Sequence, residues 1–140
     1  MTSRSKCANA ILLLDDEFDI MITFTLALEQ QGFLVVGFTE PLLALADFHN
    51  NSDRYGLVIS DLRMPVMNGY QFIKKVKEIK PQVKVFFISA FEINDTELRT
   101  ELPFVKVDEF IKKPITAEDL ISTVSRHISK ANPVGAANQV

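Results

Sequence analysis

Four points along this chain carry polar side chains able to do chemistry together: the acidic pair Asp15-Asp16, then Asp61, Ser89 and Lys113. Each follows an apolar run. Ile11-Leu12-Leu13-Leu14 leads into Asp15-Asp16, Leu57-Val58-Ile59-Ser60 into Asp61, residues 83–88 into Ser89, and Phe110-Ile111 into Lys112-Lys113. Carboxylates gathered in one place repel, so one of them must protonate or recruit a cation. Mg²⁺ suits such a set, because it takes one or two carboxylates, waters and a phosphate oxygen. Lys113 would add a second positive point facing a dianion, and Ser89 a hydroxyl. An aspartate so placed can act as a nucleophile and form an aspartyl-phosphate. The cation and the lysine would neutralise charge developing on the equatorial oxygens.

Such a meeting requires that the four apolar runs be neighbouring strands. A strand buried on both faces reads as a continuous apolar run, as in a parallel sheet covered by helices. Between the runs lie helical patterns. Residues 17–31 place Phe18, Met21, Thr25 and Leu28 on one stripe, with Gly32 suited to the C′ position. Ile20, Ile22, Phe24 and Leu26 add a second stripe, which calls for two packed neighbours or a partner surface. Residues 34–38 read as a strand. Thr39 is the expected cap of a second helix, with Pro41 in its first turn and its end near His49. Residues 50–53 read as a turn. A third helix over 69–80 turns Phe72, Ile73, Val76 and Ile79 inward and Lys74, Lys75 and Lys77 outward, and Pro81 closes it. A weak polar helix over 94–102 is stopped by Pro103. A short strand over 109–111 follows, and Thr116 with Asp119 caps a last helix through Leu120, Ile121, Val124 and Ile128.

Five strands alternating with five helices predict an α/β, doubly wound parallel sheet in three layers. At this size the flavodoxin-like order 2-1-3-4-5 is the default, and ligands bind beyond the carboxyl ends of the strands at the switch point. The switch point between strands one and three would hold Asp15, Asp16 and Asp61.

Composition sets the outer bounds. At 140 residues the chain has room for one domain with a real core. It is 47% hydrophobic and 24% charged, an ordinary globular profile. A net charge of -3 offers no basic footprint for nucleic acid. The single cysteine, Cys7, excludes an internal disulfide framework and a multi-thiolate metal site. Arg4 and Lys6 precede a short apolar stretch that stops at Asp15-Asp16-Glu17 with no small-residue cleavage site, so it reads as a first strand rather than a signal peptide. No run approaches the ~20 apolar residues of a membrane span.

The strings Leu14-Asp15-Asp16-Glu17, Asp61-Leu62-Arg63-Met64-Pro65-Val66-Met67-Asn68-Gly69, Ser89-Ala90-Phe91 and Lys113-Pro114-Ile115, taken in this order, resemble the receiver domain of two-component response regulators. The acidic pair is a weak signal alone, whereas the Asp-x-x-Met-Pro-x-Met-x-Gly loop is a strong one. The resemblance spans roughly residues 9–130. It implies Asp61 as phospho-acceptor, Asp16 as a direct Mg²⁺ ligand, Asp15 as a ligand through water, and the main-chain carbonyl of Arg63 as a further ligand. It implies Ser89 as the switch hydroxyl, the small Ala90 as a gap giving access to the site, and Lys113 as the phosphate-binding lysine, joined to Pro114 by a cis bond. Phe110 falls at the aromatic position that turns inward on activation. The implied phosphoryl source is a sensor histidine kinase or a histidine phosphotransfer protein. The implied output is a protein partner, or a second copy, on the face of the fourth helix, fifth strand and fifth helix. No direct contact with nucleic acid, no membrane insertion and a cytoplasmic location go with this reading. The expected organisation is an arm over residues 1–8, a receiver over 9–130 and a tail or linker start over 131–140.

Three features depart from the family pattern. Phe110 replaces the usual tyrosine, Lys106-Val107 stand where Gly-Ala is usual, and Arg63 and Phe91 flank the site with bulky side chains. With Pro103, the second departure implies a reshaped end of the fourth helix. Plainer readings exist for single residues. Asp15-Asp16 would serve a helix N-terminus, Asp61 a turn, Ser89 a cap and Lys113 the surface. Met64 and Met67 read as loop packing, His49 and His127 as surface residues, and Cys7 as unused. Two functional alternatives remain. A phosphatase with an aspartyl nucleophile of the haloacid-dehalogenase type needs a second aspartate two residues on, where this chain has Arg63. A degenerate receiver that only binds would not need the full acidic set.

Overall fold

The central strands are apolar over most of their length, so each sends alternate side chains into opposite layers and both layers become core. The computed structural model describes residues 9–92 and 94–130. The arm expected over 1–8, with Cys7, and the tail over 131–140 lie outside the described residues. The elements run β1 (Ala10–Leu14), α1 (Phe18–Gln30), β2 (Val35–Phe38), α2 (Pro41–Asn51), a single 3₁₀ turn (Ser52–Arg54), β3 (Tyr55–Asp61), α3 (Gly69–Ile79), β4 (Lys84–Ser89), α4 (Asp95–Glu101), β5 (Glu109–Lys112) and α5 (Ala117–Ser125). All strand pairs are parallel, in the order β2-β1-β3-β4-β5. This is the doubly wound arrangement expected from the alternation of patterns.

On one side Leu12, Leu14, Val58, Val85 and Phe87 meet Phe48 of α2 and Phe72, Ile73 and Val76 of α3. On the other, Ile11, Leu13, Ile59, Phe86 and Ile88 meet Phe24 and Leu28 of α1 and Leu120 and Val124 of α5. Helix α1 ends at a left-handed Gly32 with φ 97. Gly32 N–H donates to Glu29 O and Phe33 N–H to Leu28 O, the paired bonds of a Schellman stop.

Several expectations are corrected. Phe18 is 60% exposed; it opens α1 beyond the edge of the sheet, and Phe24 takes its place beside Met21, Thr25 and Leu28. Leu26 of the second stripe is exposed as well. Helix α2 begins after Glu40, not Thr39, and the N-cap makes no side-chain bond. It also runs two residues past His49, because Asn51 Nδ2 donates back to the carbonyl and the carboxylate of Asp47. Lys77 does not face solvent freely. Its ammonium donates to the carbonyls of Pro81 (3.1 Å) and Val83 (2.6 Å), tying the end of α3 to the loop before β4. His127 is not a bare surface residue. It lies just beyond α5, bonds Glu109 Oε2 at 2.7 Å and sits edge-on to Phe86. Between α4 and β5, where Pro103 and Lys106-Val107 lie, the chain forms no regular element. Helix α4 is seven residues long and contains no buried residue. Leu102 plugs the core behind it while Phe104 is 98% exposed.

Candidate functional site

Register decides what meets at the carboxyl edge of the sheet. Leu14 pairs with Ser60, so Asp15 and Asp61 come next on adjacent strands. Asp61 pairs with Ile88 and Ser89 with Lys112, which brings Ser89 and Lys113 to the same edge. Strands lie about 4.8 Å apart, so side chains from three neighbours can touch. Asp15, Asp16 and Asp61 each offer an oxygen within 4.8 Å of the others. Lys113 Nζ lies 2.9 Å from Asp15, 3.3 Å from Glu17 and 3.5 Å from Asp61. Four of the residues picked out by the sequence therefore converge, and Glu17 joins them.

The electrostatics follow from burial. Asp15 and Asp61 are buried, whereas Asp16 is exposed. Asp15 Oδ1 accepts from Glu17 N–H at 2.9 Å. Its Oδ2 is buried without a hydrogen-bond partner, although the Lys113 ammonium pairs with it by charge. Asp61 Oδ1 accepts from the N–H of Leu62 at 2.8 Å. Desolvation and then the Asp15 charge push the Asp61 carboxyl up to about 7, against the pull of Lys113. Burial opposes the charge on Lys113, but Asp15, Asp61 and Glu17 outweigh it and hold the ammonium above the usual lysine range. A single cation among these carboxylates leaves the pocket rich in negative charge. Hard oxygen donors from Asp15, Asp16 and Asp61, converging within 4.8 Å, fit a divalent cation of the Mg²⁺ type.

The loop that carries Asp61 is held by close backbone contacts. Gly69 N–H closes it onto Leu62 O at 2.8 Å. A Cβ on Gly69 would stand 2.4 Å from Asp61 O and 2.9 Å from Leu62 Cα. Val66 has φ 73 and is spanned by a Met67 N–H to Pro65 O bond, a γ-turn of the strained hand. Met64 and Met67 pack inward, and Asn68 with Gln71 forms a complete capping box for α3. These contacts explain the residue types of the loop string. Alanine normally favours a helix over glycine, yet Gly69→Ala is expected to destabilise by about 1–3 kcal/mol through overpacking. A thermal melt checks the sign; a stabilised variant would mean the loop yields freely.

The remaining candidates sit around this centre. Ser89 is buried, and its Oγ accepts from Phe91 N–H at 3.0 Å. Lys113 N–H bonds Ser89 O, and the Lys113–Pro114 peptide is cis. Phe110 is 43% exposed and stacks on Phe87 with centroids 6.1 Å apart. The side chain of Arg63 pairs with Glu97 of α4, at 3.3 Å. Sequence reasoning missed Glu97, Tyr70, which donates to the same carboxylate at 3.2 Å, and Glu17. Only Glu17 left a signal, as the third acid in its run.

Comparison with known proteins places this geometry in a family. Residues 11–125 match the family described as response regulator receiver domain. The C4-dicarboxylate transport transcriptional regulatory protein DctD of Rhizobium meliloti is 29% identical over 121 residues, covering 86% of this chain and 25% of that protein. The response regulator SaeR of Staphylococcus aureus is 26% identical, covering 86% of this chain and 50% of that protein. The chain thus spans between a quarter and a half of the length of these curated relatives. A solved response regulator receiver domain protein from Clostridium thermocellum superposes with a TM-score of 0.74 at 27% identity, covering 85% of this chain and 93% of that one. A match over nearly the whole described sheet, from the second residue of β1 to the last of α5, makes this chain a member of the response regulator receiver domain family of two-component signalling.

Proposed function

We propose that the chain accepts a phosphoryl group on Asp61 from a phosphohistidine of a sensor kinase or phosphotransfer protein. The observation that carries this reading is the Lys113 ammonium within 3.5 Å of two buried carboxylates, Asp15 and Asp61. An oxygen of Asp61 attacks phosphorus, the P–N bond to the imidazole breaks, and its electron pair returns to the ring. Lys113 neutralises charge on the transferring group. Held by Asp15, Asp16, Asp61 and the Arg63 main-chain carbonyl, Mg²⁺ would supply the charge neutralisation that the lysine alone cannot. In the later step water attacks phosphorus, the bond from phosphorus to the Asp61 carboxylate oxygen breaks, and inorganic phosphate leaves as the carboxylate is restored. The receiver would occupy residues 9–130, act in the cytoplasm, and signal through proteins rather than by touching nucleic acid. A phosphatase of the haloacid-dehalogenase type is disfavoured because Arg63 holds the position of its acid.

The test is incubation with acetyl phosphate and Mg²⁺, followed by mapping of the modified residue. Asp61 is expected; a label elsewhere, or none, sinks the reading.

Output would run through Ser89 and Phe110. A phosphoryl group on Asp61 draws the Ser89 hydroxyl away from Phe91 N–H, and Phe110 turns from its exposed stack on Phe87 into the space left. One hydrogen bond to a charged group contributes about 1.5–3 kcal/mol. That biases the face of α4, β5 and α5 without locking it. Ser89→Ala should remain phosphorylatable while the amide shifts induced by beryllofluoride over residues 102–112 shrink. Full-sized shifts in that variant would remove Ser89 from the switch.

A further inference from the structure

We infer that Arg63 is a two-position side chain that anchors α4 through Glu97 while Asp61 is unmodified and releases it when a phosphoryl group on Asp61 competes for the guanidinium. This rests on the reading of Asp61 as the phosphoryl acceptor and names a route by which that site is coupled to α4.

The geometry is local and specific. Arg63 lies two residues beyond Asp61, in a loop that Gly69 holds tightly against the Asp61 backbone. Its Nη2 is 3.3 Å from Glu97 Oε1, and its guanidinium carbon is 6.0 Å from the centre of the Phe91 ring. The same Glu97 oxygen accepts from Tyr70 at 3.2 Å. Tyr70 is fully buried and meets Phe87 edge-on at 5.5 Å, and Phe87 stacks on Phe110. Arg63, Glu97, Tyr70, Phe87 and Phe110 thus form one contiguous series from the Asp61 loop to the exposed aromatic of β5.

Glu97 matters because α4 has so little else. None of its residues is buried, and apart from Leu98 it presents the core with no large apolar side chain. Its place against α3 therefore depends on few contacts, and the two at Glu97 are polar. The Arg63–Glu97 pair is half-exposed, with side-chain accessibilities of 46% and 35%. Pairs of that kind are weak and easily exchanged. A dianionic phosphoryl group two residues away offers the same guanidinium a charge-assisted, bidentate partner. Exchange leaves Glu97 with Tyr70 alone and its carboxylate unneutralised. A ligand shifts such an equilibrium only by its differential affinity for the two positions, and here the differential partner is Arg63.

The test uses the described protein with beryllofluoride and Mg²⁺ as the phosphoryl mimic, read by amide and arginine Nε–H NMR. In the unaltered protein, amides of residues 61–69 and of α4 should both shift, and the Arg63 Nε–H signal should move as it changes partner. In Glu97→Gln, α4 should already sit near its released position. The mimic should then still shift residues 61–69, whereas shifts over 95–101 lose most of their amplitude. Tyr70→Phe keeps the Arg63 pair and should keep the α4 response. Undiminished α4 shifts in Glu97→Gln, or an Arg63 Nε–H signal indifferent to the mimic, would overturn the inference while leaving Asp61 as acceptor. Absence of any shift at residues 61–69 in the unaltered protein would instead overturn both.

Discussion

Asp61→Asn is expected to abolish acyl-phosphate formation and, at the same time, to make the metal-free protein more stable. The first effect removes the nucleophile: an amide oxygen does not attack phosphorus usefully, and no second carboxylate stands in its place. Labelling by a phosphodonor should fall to background. The second effect follows from the cluster. Asp61 is buried beside Asp15, and its carboxyl is pushed up to about 7 by that burial and that charge. Above this pH the folded state must hold the ionised form at a cost of about 1.4 kcal/mol for each unit by which the pKa is displaced. Asparagine removes that charge while Lys113 keeps Asp15 and Glu17. Melting in EDTA at mildly alkaline pH should therefore occur at a higher temperature for the variant, and Mg²⁺ should raise it far less than it raises the unaltered protein. A variant that loses both labelling and stability would point to a structural role for Asp61 and remove the nucleophile assignment.

Positions fixed by the sheet were legible in the sequence, and positions fixed by side-chain reach were not. A buried parallel strand announces itself by a continuous apolar run, and its end is a fixed address in this architecture. Asp15, Asp61, Ser89 and Lys113 could be placed that way because register alone brings them to one edge. Glu17 reaches the same lysine from the start of α1, where sequence shows only another acid. Lys77 and His127 read as solvated by sequence because their own segments offer no partner. Their partners, the Val83 carbonyl in the loop before β4 and Glu109 of β5, are brought alongside by the fold. Phe18 falls on the apolar stripe by periodicity, but the helix begins beyond the edge of the core, so the ring stays in solvent. Helix α4 was correctly weak in the sequence. That Glu97 would bind both Arg63 and Tyr70 depends on how α4 lies against α3, which no periodicity records.

The metal-free protein is expected to lose stability as pH rises between the ordinary carboxylate range and about 7. In the unfolded chain Asp61 titrates near 3.8, whereas in the folded chain it holds its proton until about 7. Within that window the folded state binds more protons than the unfolded state, so unfolding free energy falls with rising pH, by at most about 1.4 kcal/mol per pH unit for this one group. The stabilising contribution is complete below the lower value and gone above the upper one. Lys113 does not obscure the window, because its shift is upward from a range that is already alkaline. A divalent cation bound among Asp15, Asp16 and Asp61 would take the place of that proton. Its stabilisation should therefore grow with pH, approaching about 2.7 kcal/mol when the ion exceeds its dissociation constant a hundredfold. The check is a set of urea midpoints from about pH 5 to about pH 8, in EDTA and in Mg²⁺, for the unaltered protein and for Asp61→Asn. The difference between the two proteins in EDTA isolates this carboxyl from every other titrating group. It should move steadily against the unaltered protein across the window, and Mg²⁺ should flatten it. A difference that stays constant with pH would mean that Asp61 ionises at its ordinary value, and that the acidic pocket is not under the charge strain that would draw in a cation.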